Sequence, residues 1–437
     1  MRRIQNLIAM VFCTTVFIII YLTMHLETNH RVRAGRGDNL KHTRVQVHDS
    51  DVKIQSSKHK SITIPHPNVY GTSVSEYLRQ TIPQNGAYWN RLLYMALKNL
   101  DKGEDLFRHD SHWPHCRETI QELLKINVHD FTSYPILFQN FLQVMNCRYS
   151  PVLTSQPNKC ISVDKEGANE TFLLFAIKST PGNFEQRQAV RETWGQEGVY
   201  MDKGGSTSRS QTNGNALRVR TVFLLGGSPL GDPDLGPLLS FEAQHFGDLL
   251  QWDFYDSLNL TLKMNMFLQW TLKQCPHVSF VFSGDDDVFV NTPALLSYLQ
   301  SLEASKASQL YVGHVISPAN PHRDPNSKYY IPLSFYDGPY PAYAGGGGFL
   351  FSGALLQPLY SVSRVIPFFP IDDVYIGMCF KALGVSPEAH AGFQTFDVEE
   401  HNRENLCVHK NLILVHQRFP QQMKRLWKGI HSPFLTC

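Results

Sequence analysis

The chain has 437 residues, with 40 Lys+Arg against 38 Asp+Glu and a formal net charge of +2. Hydrophobic residues make up 42% and aromatics 12%, enough to bury a sizeable core, so a wholly disordered protein is excluded. The near-neutral balance argues against a dedicated nucleic-acid binder, which needs a strong basic excess.

In chain order, Arg2 and Arg3 come first, ahead of an uncharged apolar stretch from Leu7 to Met24. Its length of 18 residues approaches the roughly 20 needed to cross a bilayer. Bulky residues run through Tyr21 and Leu22 with no small-residue cleavage site. The stretch therefore reads as an uncleaved signal anchor over 7–26, behind a tail of 1–6. Arg2 and Arg3 favour a cytoplasmic N-terminus, although Arg31, Arg33 and Arg36 on the far side weaken that signal. Two sequons, Asn169-Glu170-Thr171 and Asn259-Leu260-Thr261, support a luminal chain and are the candidate glycosylation sites. Seven cysteines follow Cys13 without a C-x-x-C, which argues against a zinc ribbon. In an oxidising lumen they read as up to three disulfides and one leftover thiol.

No Phe, Tyr or Trp occurs from Leu22 to Val69, so residues 27–84 read as a flexible stem. Residues 85–168 read as a mostly helical extension packed on the main domain, which spans 169–437. There, continuous apolar runs at Phe172–Ile177, Val219–Leu225, Leu249–Phe254 and Val278–Phe282 fit strands covered on both faces. Helical segments at Phe184–Trp194 and Leu260–Leu272 alternate with them. That alternation predicts an α/β fold with a mostly parallel central sheet. The Gly-, Ser- and Thr-rich residues 203–216 predict a mobile loop.

The fourth strand runs straight into Ser283-Gly284-Asp285-Asp286-Asp287. Adjacent carboxylates repel one another, and a divalent cation relieves the repulsion. In extended backbone Asp285 and Asp287 share a side while Asp286 points away, so the first and third form the better ligand pair. A solvated acidic turn is the alternative. Asp372 and Asp373 open a helix predicted over Val374–Leu383. They are either a cap and a dipole partner, or one is a general base. Gly345, Gly346, Gly347 and Gly348 follow Tyr343 and permit close backbone approach to a ligand, or form a bulge or hinge. Arg187 and Arg191 share a helical face and either contact phosphates or make structural salt bridges. His416 is either structural or completes a metal site.

Six motifs stand in a familiar order: Arg187-x-x-x-Arg191-Glu-Thr-Trp-Gly195, Asp285-Asp-Asp-Val-Phe-Val-Asn291, Lys328-Tyr-Tyr-Ile-Pro332, Tyr343-Ala-Gly-Gly-Gly-Gly-Phe349, Pro370-Ile-Asp-Asp-Val-Tyr-x-Gly377 and Val415-His416. Over Cys147–Cys437 the chain resembles the β-1,3-glycosyltransferases, and most nearly the β-1,3-N-acetylglucosaminyltransferases that extend poly-N-acetyllactosamine. Ala87-Tyr-Trp-Asn90 and Cys147-Arg-Tyr149 share that likeness. The resemblance implies a GT-A fold and a Golgi membrane protein of type II, held by one helix. It implies a UDP-sugar donor, a β-galactose-terminated glycan acceptor and a Mn²⁺ or Mg²⁺ cofactor. It makes Asp285, Asp287 and His416 metal ligands and Asp373 the base. It places Arg187, Arg191, Asp285, Asp286 and the glycines 345–348 at the donor, and Tyr329 and Asp372 at the acceptor. Ser283 departs from the pattern, where relatives often carry Lys.

The expected reaction moves GlcNAc from UDP-GlcNAc to a galactose 3-hydroxyl with inversion, which requires base and metal on opposite sides of the reacting carbon. A β-1,3-galactosyltransferase using UDP-galactose and a silent lectin on the same fold are the competing readings. A homo-oligomer stays open.

Overall fold

The computed structural model describes residues 73–83, 86–103, 119–160, 170–201, 216–227, 233–255 and 259–437. The predicted anchor (7–26), Asn169, Cys13 and Cys116 lie outside these residues. So does the predicted loop 203–216, apart from Ala216. Among the described residues no helix is long and apolar enough to cross a membrane.

Four helices come first: α1 (Glu76–Thr81), α2 (Tyr88–Asp101), α3 (Gln121–Asn127) and α4 (Ile136–Val144). Then follow β1 (Val152–Thr154), β2 (Thr171–Lys178), α5 (Phe184–Glu192), β3 (Gly198–Met201), β4 (Ala216–Gly227), α6 (Gly236–Phe246), β5 (Leu249–Tyr255), α7 (Leu260–Gln274) and β6 (Phe280–Asp285). The second half holds β7 (Phe289–Val290), α8 (Thr292–Gln300), α9 (Ala304–Ser308), β8 (Tyr311–Ile316), β9 (Tyr343–Ser352), α10 (Leu356–Ser363) and α11 (Asp372–Ala382). It ends with β10 (Glu388–Ala389), β11 (Phe393–Gln394), α12 (Leu406–Lys410), β12 (Leu414–Val415) and α13 (Pro420–Ile430).

The main sheet has the order β1-β5-β4-β2-β6-β9-β8-β10, with β3 on β4. Its centre, β5-β4-β2-β6, is parallel, whereas β9 runs antiparallel to both β6 and β8. The parallel strands alternate with α5, α6 and α7, as the apolar runs predict. The reason is visible in β2. Leu173, Phe175 and Ile177 enter one core, while Leu174 and Ala176 enter the other. A strand buried on both faces must be apolar at every position. A second sheet, β11-β12-β7, is small, and β12 pairs antiparallel with β7.

The N-terminal helices belong to the core on the α7 and α11 side. Trp89 of α2 is fully buried, donates its indole N–H to the Pro367 and Phe368 carbonyls, and meets the rings of Tyr336 and Phe369 edge-on. Helix α1 lies within the span expected to be stem, yet its Leu78 is fully buried. Ser75 donates its N–H to Ala382 O (2.7 Å) and its hydroxyl to Lys381 O (2.5 Å), at the end of α11. Folded chain thus begins before residue 84.

Disulfides join Cys160 to Cys275 and Cys407 to Cys437. Cys147 is also disulfide-bonded, and Cys379 is a buried free thiol. Removing Trp89 tests whether α2 is part of the cooperative unit. The variant Trp89→Ala is expected to lose about 3–5 kcal/mol of stability in denaturant unfolding. An unchanged unfolding curve would mean that the extension folds separately.

Candidate active site

The site forms where parallel strands end. Lys178 is the last residue of β2 and Asp285 the last of β6, and the two are register partners. Open α/β sheets place ligands outside this carboxyl edge. The acidic turn after β6 sends its three carboxylates to different partners. Asp286 turns inward, where its Oδ2 accepts hydrogen bonds from the Ser179 hydroxyl (2.6 Å) and the Asn183 amide (3.0 Å). Burial pushes its carboxyl up to about 6, against the pull of those two bonds. Asp285 and Asp287 stay with His416, with one ligand atom from each of the three lying within 4.8 Å of the others. The sequence reading assumes extended backbone, whereas β6 ends at Asp285 and Asp286 and Asp287 form a turn; it is this turn that brings the first and third carboxylates together.

His416 reaches this point because β12 pairs with β7, directly after the acidic turn. Its Nδ1 lies 2.9 Å from Thr395 O, so it donates there, and Nε2 is left facing Asp287 Oδ1 at 3.2 Å. The Asp287 carboxylate raises the imidazole above its usual range, and burial opposes this. Gln417, the next residue, has φ +59°, a left-handed conformation uncommon for a side-chain-bearing residue. Fully buried Arg418 then locks the turn. Its backbone N–H donates to Asp287 O (2.7 Å), and its guanidinium donates to His416 O (3.0 Å) and Asp397 Oδ1 (2.6 Å).

The residues present fit a divalent cation. Asp287 Oδ1 is shut away from solvent and faces the His416 imidazole at 3.2 Å. Two carboxylates and an imidazole nitrogen lie within 4.8 Å of one another, a donor set that suits a divalent cation.

Asp373 lies in the first turn of α11, with Oδ1 accepting from Val374 N at 2.8 Å. Burial pushes its carboxyl up to about 7, and neighbouring Asp372 adds to this against the opposing Lys178 charge. The glycine run of β9 lies between Asp373 and His416. A Cβ on Gly346 would stand 3.1 Å from Asp373 Oδ2, while one on Gly347 would stand 3.1 Å from His416 Cγ. Val374 and Tyr375 of α11 join the core on one face of the sheet and Leu414 of β12 joins the core on the other, so Asp373 and His416 approach β9 from different sides. Gly345 and Gly348 press on Thr395 and Leu414 in the same way. The run is thus a close approach, and it is also the bulge that the sequence allowed: Gly313 and Val315 of β8 pair with Phe349 and Ala344, so the four glycines stand opposite one residue of β8.

Asp372 does not face outward. It is buried, and its Oδ2 accepts from Lys178 Nζ at 2.8 Å. That ammonium also lies 3.0 Å from Asp285 Oδ1. Burial alone would lower Lys178, but Asp285 and Asp372 outweigh it and hold the ammonium charged. The expected acceptor contact at Asp372 gives way to this ion pair. Tyr329 is half exposed, with the Lys328 ammonium 5.5 Å over its ring, and it neighbours Tyr343 beside Asp373.

Arg187 and Arg191 are corrected as donor contacts. Arg187 is fully buried, its Nε and Nη2 paired with both oxygens of Glu242 (2.8 and 2.7 Å) and its Nη1 donating to Thr180 O (2.6 Å). Arg191 pairs with Glu242 and Asp248, each at 2.7 Å. Both guanidinium groups are consumed in joining α5 to α6 and to the residue before β5. Arg187 reaches the acidic turn only indirectly, through Ser179 Oγ at 3.1 Å.

Asn259 is likewise misplaced for a glycan. It is 4% exposed at the start of α7, and Thr261 of its sequon is 1% exposed with its hydroxyl on Phe369 O. Ser283 is buried in mid-sheet with no partner for its hydroxyl. Lys178, Ser179, Glu242 and Arg418 were not anticipated. For Lys178 a signal existed, namely a charged residue closing an otherwise apolar strand.

An α/β fold carrying such an acidic site at its strand ends has the organisation of a sugar-nucleotide transferase. The chain belongs to the galactosyltransferase family, whose model matches residues 185–391. It is 47% identical over 331 residues to N-acetyllactosaminide beta-1,3-N-acetylglucosaminyltransferase 2 of Mus musculus, covering 75% of this chain and 77% of that one. It is 39% identical over 383 residues to UDP-GlcNAc:betaGal beta-1,3-N-acetylglucosaminyltransferase 8 of Homo sapiens, covering 85% and 88%. A galactosyltransferase solved with donor and acceptor sugar analogues aligns over 60% of this chain and 97% of its own, at 12% identity and a TM-score of 0.30.

The two glycine positions should separate the two halves of the site. Gly346→Ala crowds Asp373 and is expected to lower kcat at saturating metal. Gly347→Ala crowds His416, which Thr395 holds in place, and should raise the metal concentration for half-activation by about tenfold or more. Metal titration of both variants checks this, and identical profiles would contradict the division.

Proposed function

We propose that the chain is a metal-dependent inverting β-1,3-N-acetylglucosaminyltransferase. It moves GlcNAc from UDP-GlcNAc to the 3-hydroxyl of a terminal β-galactose on N-acetyllactosamine-type acceptors. The observation that carries this reading is that Asp373 and the Asp285–Asp287–His416 cluster stand together at the carboxyl edge of the sheet, joined through Lys178. A single displacement needs a base for the attacking hydroxyl and a cation for the leaving diphosphate within reach of one anomeric carbon. The names of the most similar relatives supply the donor, the acceptor sugar and the linkage.

The chemistry divides between the chain's residues. Asp285, Asp287 and His416 would hold the cation, and the mixed oxygen–nitrogen set suits Mn²⁺ better than the harder Mg²⁺. When bound, the cation offsets charge on the departing diphosphate. Asp373 accepts the proton of the acceptor hydroxyl, for which a carboxyl raised to about 7 is well matched. Tyr329 and Tyr343 offer aromatic faces to the acceptor on the Asp373 side. We assign the anchor at 7–26 to a Golgi membrane, with the folded domain in the lumen.

The test is a donor competition on the full-length chain in detergent, with Mn²⁺ and N-acetyllactosamine. GlcNAc in β-1,3 linkage is expected, and Asp373→Asn should lower kcat by about 10²–10⁴-fold. A galactose product would instead assign the chain to the galactosyl branch.

A pH profile follows from the raised carboxyl of Asp373. The base works deprotonated, so kcat/KM should rise with pH until about 7 and level off above it, falling roughly tenfold per unit on the acid side. A profile that is flat from about pH 5 to about pH 8 would remove Asp373 from the base role.

A further inference from the structure

Three carboxylates crowd the carboxyl edge of the sheet beside one ammonium. Lys178 closes β2, and its backbone is fixed opposite Asp285 by strand pairing. Its Nζ lies 3.0 Å from Asp285 Oδ1 and 2.8 Å from Asp372 Oδ2, and it donates weakly to Gly346 O at 3.4 Å. Its partners thus come from the metal cluster, from the helix that carries the base, and from the glycine strand between them. The side chain is buried, so water does not share the load. Asp373 is the carboxylate left out of this set.

We propose that Lys178 is a positioning residue that fixes the distance between the metal cluster and the base. Asp285 and Asp372 would repel across a dry gap without it. Asp372 is the first residue of α11 and Asp373 the second, so any swing of Asp372 carries the base with it. By taking one oxygen of Asp285, Lys178 also leaves the other oxygen for the cation. Strand β2, helix α11 and the acidic turn are then registered through a single ammonium. This inference rests on the transferase reading above.

The test uses the full-length chain with Mn²⁺, UDP-GlcNAc and N-acetyllactosamine. Lys178→Met is expected to lower kcat about a hundredfold, with KM for donor and acceptor each moving by less than about threefold. Calorimetric affinity for UDP in Mn²⁺ should stay within about threefold of the parent, which shows the site still formed. Lys178→Arg, which keeps the charge, should recover at least about a tenth of kcat. Asp372→Asn removes the other end of the pair without deleting volume, and it serves where Lys178→Met does not fold. The double variant should be no worse than the poorer single one, because the two residues act as a unit. Three results overturn the proposal. These are a donor KM that rises while kcat holds, losses that add in the double variant, and parental kcat in Lys178→Met. An inactive parent chain would instead overturn the transferase reading itself.

Discussion

Strand β9 passes through the site for four residues without a side chain, and the rest of the molecule is arranged around that bare backbone. On one face α11 brings Asp373 against Gly346, and on the other the β11-β12-β7 sheet brings His416 against Gly347. Neither approach tolerates a methyl group without displacement. The strand is paired with β6 from Gly348 to Ser352 and with β8 at Tyr343, Ala344 and beyond Gly348, so regular pairing holds the glycine run from both ends. The site is thus built at the edge of the sheet, with the glycine run as a partition between Asp373 and His416.

Behind the partition, the support is ionic and buried. Arg187, Arg191, Glu242 and Asp248 form a closed group that joins α5 to α6 and the start of β5. A buried pair gains little over an apolar replacement, but losing one member leaves an uncompensated charge. The group therefore contributes more to the uniqueness of the loop after β2 than to net stability. That loop supplies Ser179 and Asn183, which hold Asp286 turned away from the metal cluster. The middle aspartate of the motif is an anchor, and its neighbours are free to act because it is not.

Much of this was legible in the sequence. The parallel strands read correctly because burial on both faces leaves an unbroken apolar run, as in Phe172–Ile177. The pairing of Asp285 with Asp287 was anticipated from strand alternation, but the structure produces it by a turn after Asp285 with Asp286 held by Ser179 and Asn183. What stayed hidden depends on pairing between distant segments. The two-residue strands that bring His416 to Asp287 are too short to leave a periodic trace. Lys178 matters only through its register with β6, which no local pattern encodes. Arg187 and Arg191 looked available because their shared helical face was visible while Glu242 on the next helix was not. The sequon at Asn259 misled because a three-residue pattern carries no information about burial.

The first described turns have a mechanical consequence. Among the described residues the first buried side chain is Val74, and Ser75 is bonded to the carbonyls of Lys381 and Ala382, the last two residues of α11. The same helix carries Asp373 at its other end. Tension that reaches Ser75 is therefore delivered to the rod on which the base is mounted. Where the polypeptide is tethered, and where it is cut for expression, become matters of leverage on the active site rather than of convenience. A boundary placed after Ser75 would release the far end of that rod.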